Sequence, residues 1–380
     1  MKKKIIPLLA LTAFAGIAHA QVDAGALQSA FTEQINTFPL QEYARLSYNN
    51  YGSRITGQSQ ARADVSITGN DKLNFTKSAG ADFASGSLNL FSYKDFDFDA
   101  IASYLKYKEV SNYAMSGAEG NAVNYGLRVS KKITEKSLAF AGIERSEYKN
   151  SNNIINETIS DYSINKVSAG INGTNYLDLA YVSWGATATL GSLSINNTYQ
   201  ANNDTQGAAT AGSFAKLGFN GSINQPLPIG KTNLVASIYG QLANKNLNSA
   251  EQIYMGGPYG VRAYPVAQGG GAQGAIASVE VNHTPVQDLQ VGVFFDTGVV
   301  QQYKNAYPYW QGLTNANNTY SLKGAGFALA YTPLKDIRID GSVAWRVGRN
   351  PLYNAQGQQV NVDGLETIPT VFVNASYAFE

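Results

Sequence analysis

The sequence contains no cysteine and only two histidines, His19 and His283, among its 380 residues. Without cysteine the chain forms neither disulfides nor thiolate metal sites, and it can pass an oxidising compartment without mispairing. The histidines stand far apart and the carboxylates are scattered, so no group of side chains has the spacing of a metal site. The composition therefore predicts a protein that uses no metal and no other cofactor.

Charge and long apolar runs are also scarce. Charged residues make up 14% of the chain, against about 25% in an average soluble protein. Beyond the first 20 residues no apolar stretch approaches the roughly 20 residues that a membrane-spanning helix needs. Tyrosine (24) and glycine (37) are abundant instead. A closed β-barrel is the other way to cross a bilayer, because its strands satisfy each other's backbone hydrogen bonds.

The first 20 residues have the pattern of a secretory signal peptide. Lysines at positions 2 to 4 precede an apolar run from Ile5 to Ile17, and Ala18, His19 and Ala20 form an A-x-A cleavage site. We expect cleavage after Ala20. Removing the three lysines leaves a net charge near −2, so nucleic acid is not an expected partner.

Residues 21–40 are predicted to form a short amphipathic N-terminal segment. From Val22 to Phe38 the apolar side chains recur at helical spacing and Pro39 stops the helix, the apolar positions being Leu27, Phe31 and Ile35. Two interpretations remain open for this helix. It is either a lead-in on the periplasmic side or a plug or docking helix.

Residues 41–380 show the alternation of a barrel wall. In Leu289 to Asp296, apolar side chains face one way, while Gln290, Gly292, Phe294 and Asp296 face the other. The segments Gly274 to Asn282, Asp336 to Arg349 and Val371 to Phe379 have the same period. This pattern predicts an all-β, transmembrane, antiparallel barrel with lipid-facing and lumen-facing rows.

Turn-forming clusters divide this region into about sixteen strands, an even number as closure requires. The predicted starts are Tyr43, Thr56, Asp71, Ser85, Phe98, Asn121, Lys136, Asn165, Ala180, Ser213, Thr232, Ala272, Leu289, Tyr320, Asp336 and Thr370. Residues 244–271 are too long and too glycine-rich for a hairpin turn. We predict there an extracellular loop that folds back into the lumen.

Within that loop, Val261-Arg262-Ala263-Tyr264 resembles the loop-six motif of the Omp85 superfamily, in particular of the two-partner-secretion transporters that export haemolysins and haemagglutinins. Downstream, residues 294–298 (FFDTG) match the family's Phe-x-Asp-x-Gly strand motif, and residues 49–57 (NNYGSRITG) resemble its first strand and turn. The resemblance covers the chain from about Tyr43 to its end.

This resemblance implies that Arg262 enters the barrel and pairs with Asp296, with Glu280 on the neighbouring strand and Gly298 completing the strand motif. It also implies outer-membrane lipid, the barrel-assembly machinery and a secreted exoprotein as partners. The physical logic is independent of the family, because an arginine in a lumen of reduced dielectric requires a bidentate carboxylate, which can pin a flexible loop.

The sequence departs from the family pattern at three points. Ala263 stands where the family usually has glycine, and Glu380 follows Phe379, the aromatic expected to act as the assembly signal. Two POTRA modules usually precede the barrel, whereas only four residues separate Phe38 from Tyr43. We therefore expect a barrel without POTRA modules, completed by a separate POTRA-bearing protein if export requires one.

Three functions follow from these features. The first is a protein translocation pore in the outer membrane of a Gram-negative bacterium, and the second is a diffusion porin or accessory barrel that has lost export. The third is an outer-membrane enzyme, which the sequence disfavours. A nucleophile needs a neighbouring base, yet His283 is accompanied by no Gly-x-Ser-x-Gly elbow and lies at a predicted strand end.

Overall fold

The computed structural model describes residues 28, 44–67, 71–311, 317–353, 358–359, 361–364 and 366–379. Eighteen strands are present in these ranges. They are β1 (Ala44–Asn49), β2 (Gln60–Ser66), β3 (Lys72–Ser78), β4 (Ala81–Tyr93), β5 (Phe96–Lys108), β6 (Ala118–Thr134), β7 (Ser137–Asn152), β8 (Glu157–Leu177), β9 (Ala180–Ile195), β10 (Gly212–Leu227), β11 (Thr232–Ala243), β12 (Ile253–Tyr254), β13 (Gly270–Gly271), β14 (Gln273–Val286), β15 (Leu289–Gln301), β16 (Thr319–Leu334), β17 (Ile337–Arg346) and β18 (Thr370–Phe379).

Sixteen of these strands form one closed antiparallel barrel. Each strand pairs with its neighbour in sequence, except that β11 pairs directly with β14, while β12 and β13 form a two-residue ribbon in the loop between them. The first and last strands close the barrel, with Ala44 opposite Phe379 and Asn49 opposite Asn374. Closure removes the unpaired sheet edges that would otherwise face lipid. The predicted sixteen-stranded antiparallel barrel is confirmed.

The wall alternates as the sequence pattern predicts. On β15, Val293 and Phe295 are 52% and 42% exposed on the outer face, whereas Phe294 and Asp296 are 5% and 0% exposed in the lumen. Successive side chains of a strand point to opposite faces, so the same alternation extends over neighbouring strands. On β15 the outer face is therefore apolar and suited to lipid, and the lumen face carries the carboxylate of Asp296.

The predicted start of β8 at Asn165 is wrong, because this strand begins at Glu157. The polar residues before Asn165 resemble a turn in sequence, but here they extend the wall together with β7 on the extracellular side. Asn152 pairs with Glu157 at the top of this extension. Pairing along the neighbouring strand therefore overrides the local turn-like composition.

Of the predicted N-terminal helix only Gln28 belongs to the described residues, and Leu27, Phe31 and Ile35 lie outside them. In the described part of the chain, α1 (Thr198–Gln206) lies in the loop after β9, where the Asn197 side chain caps it by accepting a hydrogen bond from the Gln200 amide at 2.9 Å. No helix among the described residues is long and apolar enough to cross a membrane.

The barrel interior is filled where β14 to β17 form the wall. Residues of the loop between β11 and β14, here called loop 6 (244–272), pack against inward side chains of these strands. The resulting cluster consists of Met255, Val261, Ala263, Tyr264, Ile276, Phe294, Val300, Tyr320, Leu322 and Ala344. A second buried cluster lies among the wall strands β4 to β11 and includes Phe83, Leu105, Tyr148 and Tyr162.

Candidate functional site

Loop 6 enters the lumen as a hairpin with a compact tip. Ile253 pairs with Gly271, and the Met255 amide donates to the Gln268 carbonyl at 2.9 Å, which continues the hairpin beyond the ribbon. At the tip the Val261 amide donates to the Met255 carbonyl at 2.7 Å. Gly257 has a φ of +119°, a conformation that favours glycine. These bonds make the tip a defined unit that presents the side chain of Arg262.

Arg262 binds the barrel wall through several polar contacts. Its Nε and Nη2 donate to Oδ2 and Oδ1 of Asp296, both at 2.9 Å, and its backbone amide donates to Oδ2 at 3.1 Å. Its Nη1 donates to Oε2 of Glu280 at 2.6 Å, and Ser278 Oγ donates to Oδ1 of Asp296 at 2.7 Å. Asp296 is fully buried. The guanidinium therefore has the bidentate carboxylate partner that a low-dielectric site requires.

The three motif residues of β15 each serve this contact differently. The Arg262 guanidinium carbon lies 3.3 Å from the centroid of the Phe294 ring, a cation–π contact. Asp296 provides the carboxylate. A Cβ at Gly298 would stand 2.9 Å from the Met255 sulfur, so glycine there leaves room for the loop. Spacing by two places all three side-chain positions on the lumen face.

Ala263 and Tyr264 continue the tip towards β16, β17 and β18. Ala263 packs against Gly324, and its carbonyl accepts a hydrogen bond from Thr370 Oγ1 at 3.0 Å. Tyr264 is fully buried, with the Arg346 guanidinium carbon 4.8 Å from its ring centroid. The tip thus contacts five consecutive wall strands, β14 to β18.

The sequence analysis missed a second attachment of loop 6. Glu251, which is 2% exposed, lies 2.6 Å from Nζ of Lys216 on β10 and 2.9 Å from Nζ of Lys166 on β8. Lys166 also pairs with Glu144 on β7 at 2.6 Å. One sequence feature could have indicated this attachment, because a lysine at a lumen-facing position of a strand needs a counter-charge. The sequence gives no indication which carboxylate supplies it.

Extracellular loops close over this arrangement. Arg54, in the loop after β1, donates through Nη1 to Asp363 at 2.7 Å, in the loop after β17. The hydroxyl of Tyr113, after β5, donates to the Asp363 carbonyl. The Val362 amide donates to Oε1 of Gln268 at 2.7 Å, which ties the same segment to loop 6. Four loops therefore meet at the extracellular mouth.

A cavity of about 790 Å³ remains between loop 6 and the wall formed by β6 to β11. Its lining includes Glu144, Lys166, Lys216, Glu251 and Gln28. Gln28 is helical and 4% exposed, and its Nε2 donates to Ser103 Oγ on β5 at 2.8 Å. The one described residue of segment 21–40 thus lies inside the barrel.

Two further residues that the sequence analysis singled out, His283 and Phe379, lie away from the loop tip. His283 is exposed near the periplasmic end of β14, where Nδ1 lies 2.9 Å from Thr232 Oγ1. Phe379 is 41% exposed on the outer face at the end of β18, opposite Ala44 on β1. Neither residue is near the ion pairs of loop 6.

A closed antiparallel barrel with a loop folded into its lumen is the architecture of an outer-membrane β-barrel protein. The chain belongs to the haemolysin secretion/activation protein family ShlB/FhaC/HecB, whose model matches residues 38–319. Members of this family are secretion channels rather than a class of enzymes. The barrel accordingly lies in the outer membrane of a Gram-negative bacterium.

Among curated proteins, the heme/hemopexin transporter protein HuxB of Haemophilus influenzae is 24% identical over 348 residues, which are 85% of this chain and 59% of HuxB. The chain thus spans about three fifths of the length of this relative. Among solved structures, CdiB from Escherichia coli has a TM-score of 0.68 at 17% identity, covering 90% of this chain and 64% of CdiB. BamA from Haemophilus ducreyi lacking POTRA domains 1–3 has a TM-score of 0.60 at 14% identity. The match covers 89% of this chain and 71% of the BamA chain. Both structures share the fold.

Proposed function

We propose that this chain is a translocation pore of the two-partner-secretion type, which moves an unfolded exoprotein outward without nucleotide or covalent chemistry. The observation that carries the proposal is loop 6 inside the lumen, attached to two parts of the wall. Arg262 binds β14 and β15, and Glu251 binds β8 and β10. A structure held by ion pairs across the lumen can close a pore and be released without covalent change.

The Arg262 site fits a lock on loop 6. Removing one partner of a buried ion pair costs about 3–5 kcal/mol, because the other charge stays buried without compensation. Glu280 and Ser278 add further hydrogen bonds to the guanidinium, which hold it more firmly than Asp296 would do by itself. The resting pore is then closed, and export requires loop 6 to move relative to the wall.

Segment 21–40 is proposed to act as a plug beside loop 6. Gln28 supports this role, because it is buried inside the barrel and donates to Ser103. The polar cavity of about 790 Å³ lies beside loop 6 and is lined in part by Gln28. Both elements would have to shift to admit an extended polypeptide.

Planar-bilayer conductance tests the closed state. We expect the wild-type barrel to be mostly closed and the Arg262→Ala variant to open, because the loop loses its contacts with Asp296 and Glu280. The matched control is Arg338→Ala, which removes an arginine that is 55% exposed and pairs with Asp340 on the same strand. Steady wild-type conductance unchanged by Arg262→Ala would identify a diffusion porin and contradict the transporter.

A liposome assay tests export itself. The purified barrel is reconstituted, the exoprotein encoded next to its gene is added unfolded, and protease protection reports transport. The assay is run with and without a POTRA-bearing protein. Transport in either arm supports the proposal, and no transport in both arms contradicts it.

A further inference from the structure

One side of the lumen wall carries no charge between loop 6 and the periplasmic end of the barrel. Its lumen-facing positions are the even ones from Ser168 to Thr174 on β8, the odd ones from Ser183 to Thr189 on β9 and the even ones from Gly218 to Asn224 on β10. Each of these positions holds glycine, serine, threonine or asparagine. This surface is here called the neutral track.

Neighbouring residues show that the neutral track faces the lumen. Lys166 and Lys216 reach Glu251 of loop 6 inside the barrel, and the track continues from these lysines along β8 and β10 in steps of two residues. On β9, Leu190 is 65% exposed on the outer face, so the adjacent Thr189 points inward. The three strands are consecutive in the barrel and therefore form one continuous surface.

The polar side chains of the neutral track contact each other across the strands. Oγ of Ser168 lies 3.0 Å from Oγ1 of Thr189, and Oγ of Ser183 lies 2.7 Å from Oγ of Ser222. A hydroxyl has one donor and two acceptor positions, so each group keeps capacity for a further hydrogen bond. Asn220 is exposed to the lumen. The track thus offers donors and acceptors without a fixed charge.

The other sides of the lumen are less open to a passing chain. β1 lies eight strands from β9 in either direction around the barrel, and its neighbourhood is charged. Arg62 pairs with Asp64 on β2 at 2.8 Å, and Arg338 pairs with Asp340 on β17 at 2.8 Å. The tip of loop 6 covers the wall from β14 to β17. The neutral track is therefore the wall that is both uncovered by the loop tip and uncharged.

The neutral track leads into the cavity of about 790 Å³ beside loop 6. Ser183 and Asn220 of the track line this cavity together with Gln28 of segment 21–40. At the extracellular end of the track, Glu251 and its ion pairs with the two lysines lie across the route. Glu251 thus closes the track, and segment 21–40 occupies part of the space beside it.

An extended polypeptide matches the track in length and chemistry. Ser168 and Thr174 are six residues apart, which is about 20 Å at about 3.3 Å per residue. The backbone groups of a chain that leaves water need other hydrogen-bond partners. Neutral hydroxyl and amide groups supply such partners and release them readily, since hydrogen bonds to ionised groups are roughly twice as strong.

We propose that the exported polypeptide crosses the barrel along the neutral track in extended form. It is held by exchangeable hydrogen bonds and leaves on the extracellular side when Glu251 separates from Lys166 and Lys216. Segment 21–40 moves out of the cavity to admit it. The proposal rests on the translocation function proposed above and specifies the route of the exported chain.

Disulfide cross-linking tests the route, because the barrel has no cysteine of its own. The exoprotein encoded next to the gene is stalled in the reconstituted barrel by a folded domain at its trailing end, and single cysteines are placed in the stretch before that domain. Asn172→Cys and Asn220→Cys put a thiol on the track. Ser47→Cys on β1 and Asn374→Cys on β18 are the matched lumen-facing controls on the opposite wall. We expect the exoprotein to cross-link to the track variants and not to the controls.

A charge placed on the track tests its neutrality. Asn220→Asp is nearly isosteric, and its carboxylate would hold the cationic side chains of the passing polypeptide. We expect export in the protease-protection assay to slow by about fivefold or more. Asn374→Asp makes the same change on the opposite wall and should export as the wild type does. Heat-modifiable gel mobility verifies that both variants fold.

The outcomes separate the route from the function. Export with equal cross-linking at both walls, or with cross-links to β1 and β18 alone, would overturn the route and leave the translocation function standing. Equal export rates in Asn220→Asp and the wild type would also overturn it. Absence of export by the wild type, with and without a POTRA-bearing protein, would contradict the translocation function and the route with it.

Discussion

Ala263 of loop 6 lies against Gly324 of β16 so closely that a Cβ built at Gly324 would stand 2.6 Å from the Ala263 Cβ. At this contact the glycine belongs to the barrel wall. The loop motif that this sequence resembles usually has its glycine at the position of Ala263, in the loop. We expect Gly324→Ala to push loop 6 away from the wall, to destabilise the barrel by about 1–3 kcal/mol and to increase conductance. Bilayer recording and urea unfolding measure these effects.

The rescue experiment for this contact is the double variant Gly324→Ala/Ala263→Gly. Moving the glycine back into the loop removes the clash, so the closed state and the stability should return. Gly218→Ala on β10 is the control, because its added Cβ would have its nearest neighbour at 3.9 Å. A double variant as open as Gly324→Ala would contradict the steric explanation.

The Arg262–Asp296 pair should show strong coupling. Arg262→Ala and Asp296→Ala each leave a charge without its bidentate partner, and each is expected to cost about 3–5 kcal/mol of stability. Because the double variant removes both charges, its loss should be clearly smaller than the sum of the single losses. Unfolding in urea, followed by heat-modifiable gel mobility, measures the cycle. Additive losses would mean that the pair does not hold the loop.

The second attachment of loop 6 predicts a separate effect of Glu251. In Glu251→Gln, Lys216 loses its carboxylate, while Lys166 keeps Glu144. We expect lower stability and more frequent channel opening, with the Arg262 site still able to hold the tip. Glu157→Gln, at an exposed position where β8 begins, should behave as wild type. Wild-type gating in Glu251→Gln would show that this attachment is dispensable.

The plug position of segment 21–40 can be tested with introduced thiols, because the chain has no cysteine of its own. Gln28→Cys and Ser103→Cys replace side chains that are hydrogen-bonded at 2.8 Å, so a short bis-methanethiosulfonate reagent should join them. We expect the cross-link to reduce conductance even in an Arg262→Ala background, and reductant to reverse it. Pairing Gln28→Cys with Tyr309→Cys, at an exposed loop residue, should give no cross-link.

Glu109 predicts a pH dependence at the extracellular mouth. Burial raises the pKa of its carboxyl from about 4.5 to about 7, and the residue is 7% exposed beside Ser116. A carboxyl whose pKa is higher in the folded state stabilises the fold below its unfolded pKa, and this contribution is lost as the pH rises towards 7. The wild type should therefore lose stability relative to Glu109→Gln between pH 5 and pH 8. Parallel thermal unfolding midpoints across that range would contradict the prediction.

The number of strands and the face on which each side chain lies could be predicted from the sequence. The reason is that each strand has lipid on one side and a polar lumen on the other. That environment enforces a period of two on every wall segment, as Phe294 and Phe295 show by pointing to opposite faces. The start of β8 was the exception, since its extracellular extension leaves the membrane and loses the apolar row. Arg262, Asp296 and Gly298 were selected differently, through their resemblance to the family's loop and strand motifs.

The sequence by itself therefore determined the barrel, its lumen face and the inward loop, because periodicity and turn composition are local properties. Only the tertiary structure decided which side chains meet inside it. Glu251 meets Lys166 and Lys216, Ala263 meets Gly324, and Arg54 meets Asp363 across 309 residues of chain. Such contacts depend on how far loop 6 and the extracellular loops reach into a closed lumen. No local pattern in a single sequence indicates how far these loops reach into the lumen.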